Sequence, residues 1–213
     1  MGNLSRFLDL KANLPNEVNL LAVSKGRDAY EIRSLAEFGQ IHFGESRLQE
    51  ALSKFKSLED LNSLKWHFIG KLQSNKVRGV IRNFDFIHSI HSLELAQRVS
   101  RISGEENRAP KVMIQVKLRD DPTKSGFLEK DLLNDWSTLI DLPNINIIGL
   151  MTISPINLNS TDRKLLFKEC RFLADRLGLL DCSMGMSGDW SEALDSGATW
   201  LRIGSYLFES LIN

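Results

Sequence analysis

Eight short apolar runs, each followed by a stretch of helical periodicity, constrain this chain more than any other feature. The runs are Leu20–Ser24, Ile41–Phe43, Trp66–Ile69, Phe86–Ser89, Lys111–Val116, Ile145–Leu150, Leu179–Cys182 and Thr199–Ile203. Near-continuous apolar strands are buried on both faces, the habit of parallel sheets covered by helices. Helices are expected over residues 28–37, 45–55, 74–82, 92–102, 128–140, 161–177, 189–194 and 206–211. Thr161 and Asp162 are cap candidates for the seventh, and Asp189 with Glu192 has capping-box spacing for the eighth. Alternation of this kind predicts an α/β fold, a (β/α)8 TIM barrel. A doubly wound open sheet is the alternative, and it needs a reversal of strand order that a sequence does not display.

Leu4, Phe7, Leu8 and Leu10 form an apolar stripe before Pro15, so a short N-terminal helix is expected to pack across one end of the barrel. With 213 residues the chain lies near the low end for this fold. No low-complexity linker interrupts the alternation, so residues 1–213 are read as one domain.

Basic and acidic residues balance at 27 each, which disfavours a general nucleic-acid surface but allows a local phosphate pocket. Residues 1–6 lack the apolar core of a secretory leader, and no apolar run reaches membrane-spanning length. Cys170 and Cys182 show no metal-ligand spacing and fit a reduced core, and four scattered histidines suggest no zinc site. A cytoplasmic protein is the expectation.

In such a barrel, chemistry gathers beyond the C-terminal ends of the strands. Lys25 ends the first strand there, as an imine-forming amine, a phosphate contact or a solvated side chain. Ser183-Met184-Gly185-Met186-Ser187-Gly188 precedes a helix and offers backbone and hydroxyl donors to a phosphate. Arg202-Ile203-Gly204-Ser205, after the eighth strand, supplies a second donor-rich lip. An amine facing a phosphate site suits a phosphorylated carbonyl ligand. Both a pyridoxal phosphate (PLP) protein and a Schiff-base aldolase meet that description. His67 reads as a hydrogen-bonded core histidine, Glu45 as a residue of the first turn of the second helix, and Met151 as core or ring contact. Lys71, Lys76, Arg78 and Arg82 read as an exposed basic face, with transient anion or protein contact as the functional alternative.

Taken in order, Leu20–Lys25, His42-Phe43-Gly44-Glu45-Ser46, His67–Lys76, Lys124-Ser125-Gly126, Gly149-Leu150-Met151, Ser183–Ser187 and Arg202–Ser205 resemble the pyridoxal phosphate homeostasis protein family. The resemblance runs from about residue 20 to residue 208 and is nearest to its compact bacterial, cyanobacterial type. It implies a PLP barrel of the alanine-racemase-like kind (fold type III) without the second β domain. It also implies a role in vitamin B6 and amino/keto-acid homeostasis, with weak or no catalysis. Lys25 then falls on the lysine that holds PLP covalently. Ser187, Gly204 and Ser205 fall on phosphate-binding positions, Arg202 beside the pyridine nitrogen, and Met151 and Ser46 near the cofactor.

Two departures stand out. Gly-Glu-Ser replaces the family's Gly-Glu-Asn, so Ser46 loses amide hydrogen-bonding options; Gly-Ser replaces Gly-Thr, where Ser205 keeps the hydroxyl. A positive neighbour disfavours pyridinium formation and weakens the ring as an electron sink. Racemisation also needs acid/base groups on both faces of the substrate carbon, and only Tyr30 and Tyr206 are tyrosines. An amino-acid racemase and a noncatalytic partner-binding regulator remain the alternatives. A monomer with transient protein partners, and with no nucleic-acid or membrane partner, completes the reading.

Overall fold

Alternate residues of each apolar run point to opposite faces of its strand, so closing the strands into a cylinder creates two packed layers. The computed structural model describes residues 3–208, and in it eight parallel strands close into a barrel in chain order. They are β1 (Asn19–Val23), β2 (His42–Glu45), β3 (Lys65–Phe68), β4 (Phe86–Ile90), β5 (Lys111–Gln115), β6 (Asn146–Met151), β7 (Asp181–Ser183) and β8 (Trp200–Ile203). Closure is made by β1 against β8, with Leu20 opposite Leu201 and Ala22 opposite Ile203. Around them run α1 (Asn3–Asn13), α2 (Ala29–Glu37), α3 (Leu48–Ser57), α4 (Val77–Asn83) and α5 (Leu93–Glu105). The rest are α6 (Glu129–Ile140), α7 (Ser160–Arg176), α8 (Trp190–Leu194) and α9 (Ser205–Phe208). The barrel reading of the alternation is therefore correct, and the open doubly wound sheet is not.

The outer layer lies between strands and helices. Phe43, Phe68, Ile87, Val112, Ile114, Leu150, Leu201 and Ile203 face Phe7, Ile32, Phe84, Leu132 and Phe167 there. The inner layer fills the barrel with Leu21, Phe86, Met113, Met151 and Trp200. His67, His88, Ser183 and Arg202 are buried with them. Helix α1 buries Phe7 and Leu10 against the outer layer and packs on α9 and α2, so it joins the helical sheath instead of crossing an end.

Helix starts follow local chemistry. Asp28 closes a full capping box with Glu31, its carboxylate accepting from Glu31 N at 2.9 Å. Helix α7 is capped by Asn159, whose side chain accepts from Asp162 N at 2.9 Å, not by Thr161 or Asp162. Asp189 holds the N-cap position of α8 but makes no side-chain cap bond there; its Oδ1 accepts from Met186 N at 2.6 Å. Helix α3 starts at Leu48 because Glu45 belongs to β2. Strand β7 begins two residues after the expected Leu179, since Leu180 is 84% exposed in the turn that leaves α7. Residues 209–211 of the expected last helix lie outside the described residues.

Candidate functional site

The backbone on either side of Lys25 is tied to α3. Lys54 Nζ donates to Ser24 O at 2.8 Å and to Glu45 Oε1 at 2.7 Å, while the Ser24 hydroxyl donates to the same carboxylate at 2.6 Å. Glu50 accepts from Lys54 Nζ and from Gly26 N. Glu45 and Lys54 are 0% and 6% exposed, so this pair is screened little by water. Burial pushes the Glu45 carboxyl up, and the bonds from Lys54 and Ser24 pull it back. Glu45 is thus a buried partner of Lys54 and not a helix-start charge. Lys25 itself is exposed, and no hydrogen bond or ion pair holds it to a described residue.

Lys25 opens into a cavity of about 480 Å³ at the C-terminal mouth, walled by Arg27, Arg202, Ser187, Gly204 and Ser205. Val23, Ile69, Met186 and Gly188 complete the wall. The two donor-rich loops do meet: Ser187 Oγ accepts from Gly204 N and from Tyr206 N, each at 3.3 Å. The bond from Met186 N to Asp189 Oδ1 ties the residue before Ser187 to the start of α8. Gly185, at φ +88°, lets that loop pass α8 closely; a Cβ there would lie 2.6 Å from Ala193 Cβ.

Arg202 is 4% exposed and stands on β8 at the floor of the cavity. Its Nη1 donates to Ser183 Oγ and its Nη2 to Thr152 O, both at 2.8 Å. Burial pulls its pKa down to about 10, with Asp189 opposing the shift, so the guanidinium stays charged at neutral pH. Below it a file of imidazoles descends through the barrel. His88 Nδ1 lies 2.9 Å from Ser183 Oγ, His88 Nε2 lies 2.8 Å from His67 Nδ1, and His67 Nε2 lies 2.9 Å from His42 Nδ1. Burial lowers all three, His42 to about 4, His88 to about 3, and His67 well below its ordinary value. His67 is therefore the hydrogen-bonded core histidine that its strand suggests.

Five expected site residues, Lys25, Ser187, Arg202, Gly204 and Ser205, converge on one cavity. Met151 is 1% exposed in the inner layer, and Ser46 is half-buried beside Gly70; neither is part of the cavity wall. A Cβ on Gly70 would sit 2.1 Å from Ser46 O, so that glycine sets how closely the loops after β2 and β3 approach. The basic face differs from expectation, since Arg78 and Arg82 pair with Glu105 and Glu106 at the C-terminal end of α5. Arg27, Glu50, Lys54, and His42 with His88 as partners of His67, are additions that the sequence reading did not make. The histidines had a signal: on β2, β3 and β4 they occupy strand faces shared with other barrel-interior residues.

No group of three or more histidine, cysteine or carboxylate side chains among the described residues is placed to hold a metal ion. No described helix is long and apolar enough to cross a membrane. Cys170 and Cys182 are buried and unbridged.

The family model for the alanine racemase N-terminal domain matches residues 5–211. The pyridoxal phosphate homeostasis protein of Synechocystis is 43% identical over 210 residues, covering 96% of both chains. That of Escherichia coli K12 is 36% identical over 204 residues, covering 91% of this chain and 86% of its own. Among solved structures, PipY of Synechococcus elongatus with PLP bound superposes with a TM-score of 0.93 at 44% identity, covering 97% of this chain and 99% of its own. An alanine racemase of Clostridium difficile, at 16% identity and TM-score 0.81, shares the fold alone and extends well beyond it, since this chain covers 57% of its length. With a full-length match to these relatives, and with the lysine, arginine and glycine-serine loops gathered at one mouth, the chain belongs to the pyridoxal phosphate homeostasis protein family.

Proposed function

We propose that this chain binds pyridoxal 5′-phosphate reversibly, attached covalently through Lys25, and serves vitamin B6 and amino/keto-acid homeostasis with little or no catalysis of its own. The observation that carries the reading is the meeting of an unpaired lysine, a buried guanidinium and two hydroxyl- and amide-bearing loops in one cavity of about 480 Å³. The residues present fit the group. Ser187, Ser205 and the amides beside Gly204 form a donor cluster suited to a phosphate. Met186 and Ile69 supply apolar wall for a ring.

Bound PLP supplies a reactive carbonyl and an electron-withdrawing ring. The chain supplies attachment and orientation. Arg202, charged and fixed by two bonds, presents a donor and no acceptor, which disfavours a protonated ring nitrogen. Ser46 and Met151 act at longer reach, through the loop after β2 and the floor beneath the cavity. Tyr30 is 77% exposed on α2 and Tyr206 37% exposed on α9; neither lines the cavity, which weakens the racemase reading. The working form is a monomeric, one-domain cytoplasmic protein, with transient protein partners and no nucleic-acid or membrane partner.

The test is PLP addition followed by visible absorption, then borohydride reduction, intact mass and a peptide map. The expected result is one PLP-sized adduct on the peptide containing Lys25, lost in Lys25→Ala. An adduct confined to another lysine, or an unchanged spectrum in Lys25→Ala, overturns the attachment.

A further inference from the structure

The opposite, N-terminal mouth of the barrel holds a second cavity, of about 500 Å³. The first residues of four successive strands line it: His42 of β2, Lys65 of β3, Phe86 of β4 and Lys111 of β5. Arg108 and Asp85 stand at its edge, and Ile41, Ala109 and Pro110 add apolar wall. Asp85 is partly spent, since its Oδ2 accepts from Trp66 N at 2.9 Å. Lys111 Nζ lies 5.3 Å above the Phe86 ring, and Arg108 Nη2 reaches Phe84 O at 3.4 Å. Three cations thus face one carboxylate around an aromatic floor.

The imidazole file decides what His42 shows to this cavity. All three rings are neutral at pH 7, so each carries one N–H. Ser183 Oγ accepts from Arg202 and is fully buried, and its only other described partner is His88 Nδ1. Its hydroxyl proton has to go to His88, because a buried hydroxyl left without an acceptor is costly. That choice propagates. His88 then carries its proton on Nε2 and donates to His67 Nδ1, His67 donates from Nε2 to His42 Nδ1, and His42 keeps its N–H on Nε2. No described residue accepts from His42 Nε2, and the ring lines the cavity. The charge on Arg202 at one mouth thereby fixes a hydrogen-bond donor at the other.

We propose that the N-terminal mouth is a second binding site, for a small organic anion whose carboxylate or phosphate sits among Lys65, Arg108 and Lys111 and accepts from His42 Nε2–H. Charged donors recognise the anion, and Phe86 with Pro110 accommodates its apolar body. The site is separate from the cavity around Lys25 and does not depend on the cofactor reading.

The test uses the full chain without added PLP, labelled with 15N in its histidines. Long-range 1H–15N spectra are expected to show His42, His67 and His88 all protonated on Nε2. Titration with inorganic phosphate, and separately with benzoate, is expected to shift His42 Nε2 saturably. Benzoate binding more tightly than phosphate marks an aromatic carboxylate, and the reverse order marks a phosphorylated compound. Phosphate bound only at the Lys25 mouth leaves the His42 signal still, which counts against the proposal. The double variant Lys65→Gln, Lys111→Gln removes exposed charges, so its circular dichroism should be unchanged while affinity falls about tenfold or more. Nδ1 protonation of His42, no saturable shift with either anion, or undiminished affinity in the double variant overturns the site.

Discussion

Between strands and helices the packing is almost wholly hydrocarbon, whereas inside the barrel three imidazoles, a hydroxyl and a guanidinium share the space with a few large apolar side chains. The same strands build both layers, one from each face. Apart from the buried Glu45–Lys54 pair, the outer layer gains stability from area removed from water, tolerates substitution by volume and does not titrate. The inner layer depends on every member of a file being paired, since an unpaired buried polar group costs more than a good pair returns. The difference locates robustness outside and chemical setting inside.

Acid should separate the two layers most strongly. The histidine pKa values are depressed in the folded state, so their contribution is present above the unfolded value of about 6.5 and is lost as pH falls toward about 4 for His42 and about 3 for His88. Three such groups give a slope on the order of 4 kcal/mol per pH unit at its steepest. Urea unfolding midpoints should therefore fall sharply between pH 6.5 and pH 4, and a flat profile there would show that the rings are already charged in the folded barrel.

In the outer layer, Phe84→Ala removes a fully buried ring packed on Phe55 and Phe68 and should cost about 3–5 kcal/mol. Its loss should be the same at pH 7 and pH 5, unlike that of a defect that alters the titration of the file. Lys54→Met tests charge within the outer layer. It strands the Glu45 carboxylate and should cost about 3–5 kcal/mol, with part of that recovered by Glu45→Gln in the same chain. Recovery measured by a double-mutant cycle would assign the cost to the pair and not to lost packing.

Ser183→Ala should cost about 1–3 kcal/mol, leaving Arg202 Nη1 and His88 Nδ1 without their shared partner. The telling readout is the tautomer: with the hydroxyl gone, the histidine spectra should no longer report a single Nε2-protonated pattern. On the surface, Arg78→Ala breaks exposed pairs to Glu105 and Glu106 and should barely move the midpoint.

Sequence periodicity reached the outer layer readily because apolar runs are local. Trp66, Phe68 and Ile87 identify their strands without knowledge of any neighbour. Leu179-Leu180 misled for the same reason, an apolar pair in a turn that imitates a strand. The convergence of Lys25 with Ser187 and Gly204 was legible through the barrel's rule that chemistry gathers at the C-terminal ends of strands. Glu45 was not. Its partners Ser24 and Lys54 lie 21 and 9 residues away, just past the end of β1 and on the next helix. The imidazole file was hidden for the same reason, since its links span 25, 21 and 95 residues.

The clamp around Lys25 also sets a clock. With Ser24 and Gly26 both fastened to α3, the backbone at that lysine has no opening motion to wait for. Reorientation of the Lys25 amine needs only rotations about the four methylenes of an exposed side chain, which take picoseconds to nanoseconds, and not the microsecond-to-millisecond opening of a lid. A ligand that reacted with this amine would then have a lifetime set by the chemistry of the bond and not by a motion of the frame.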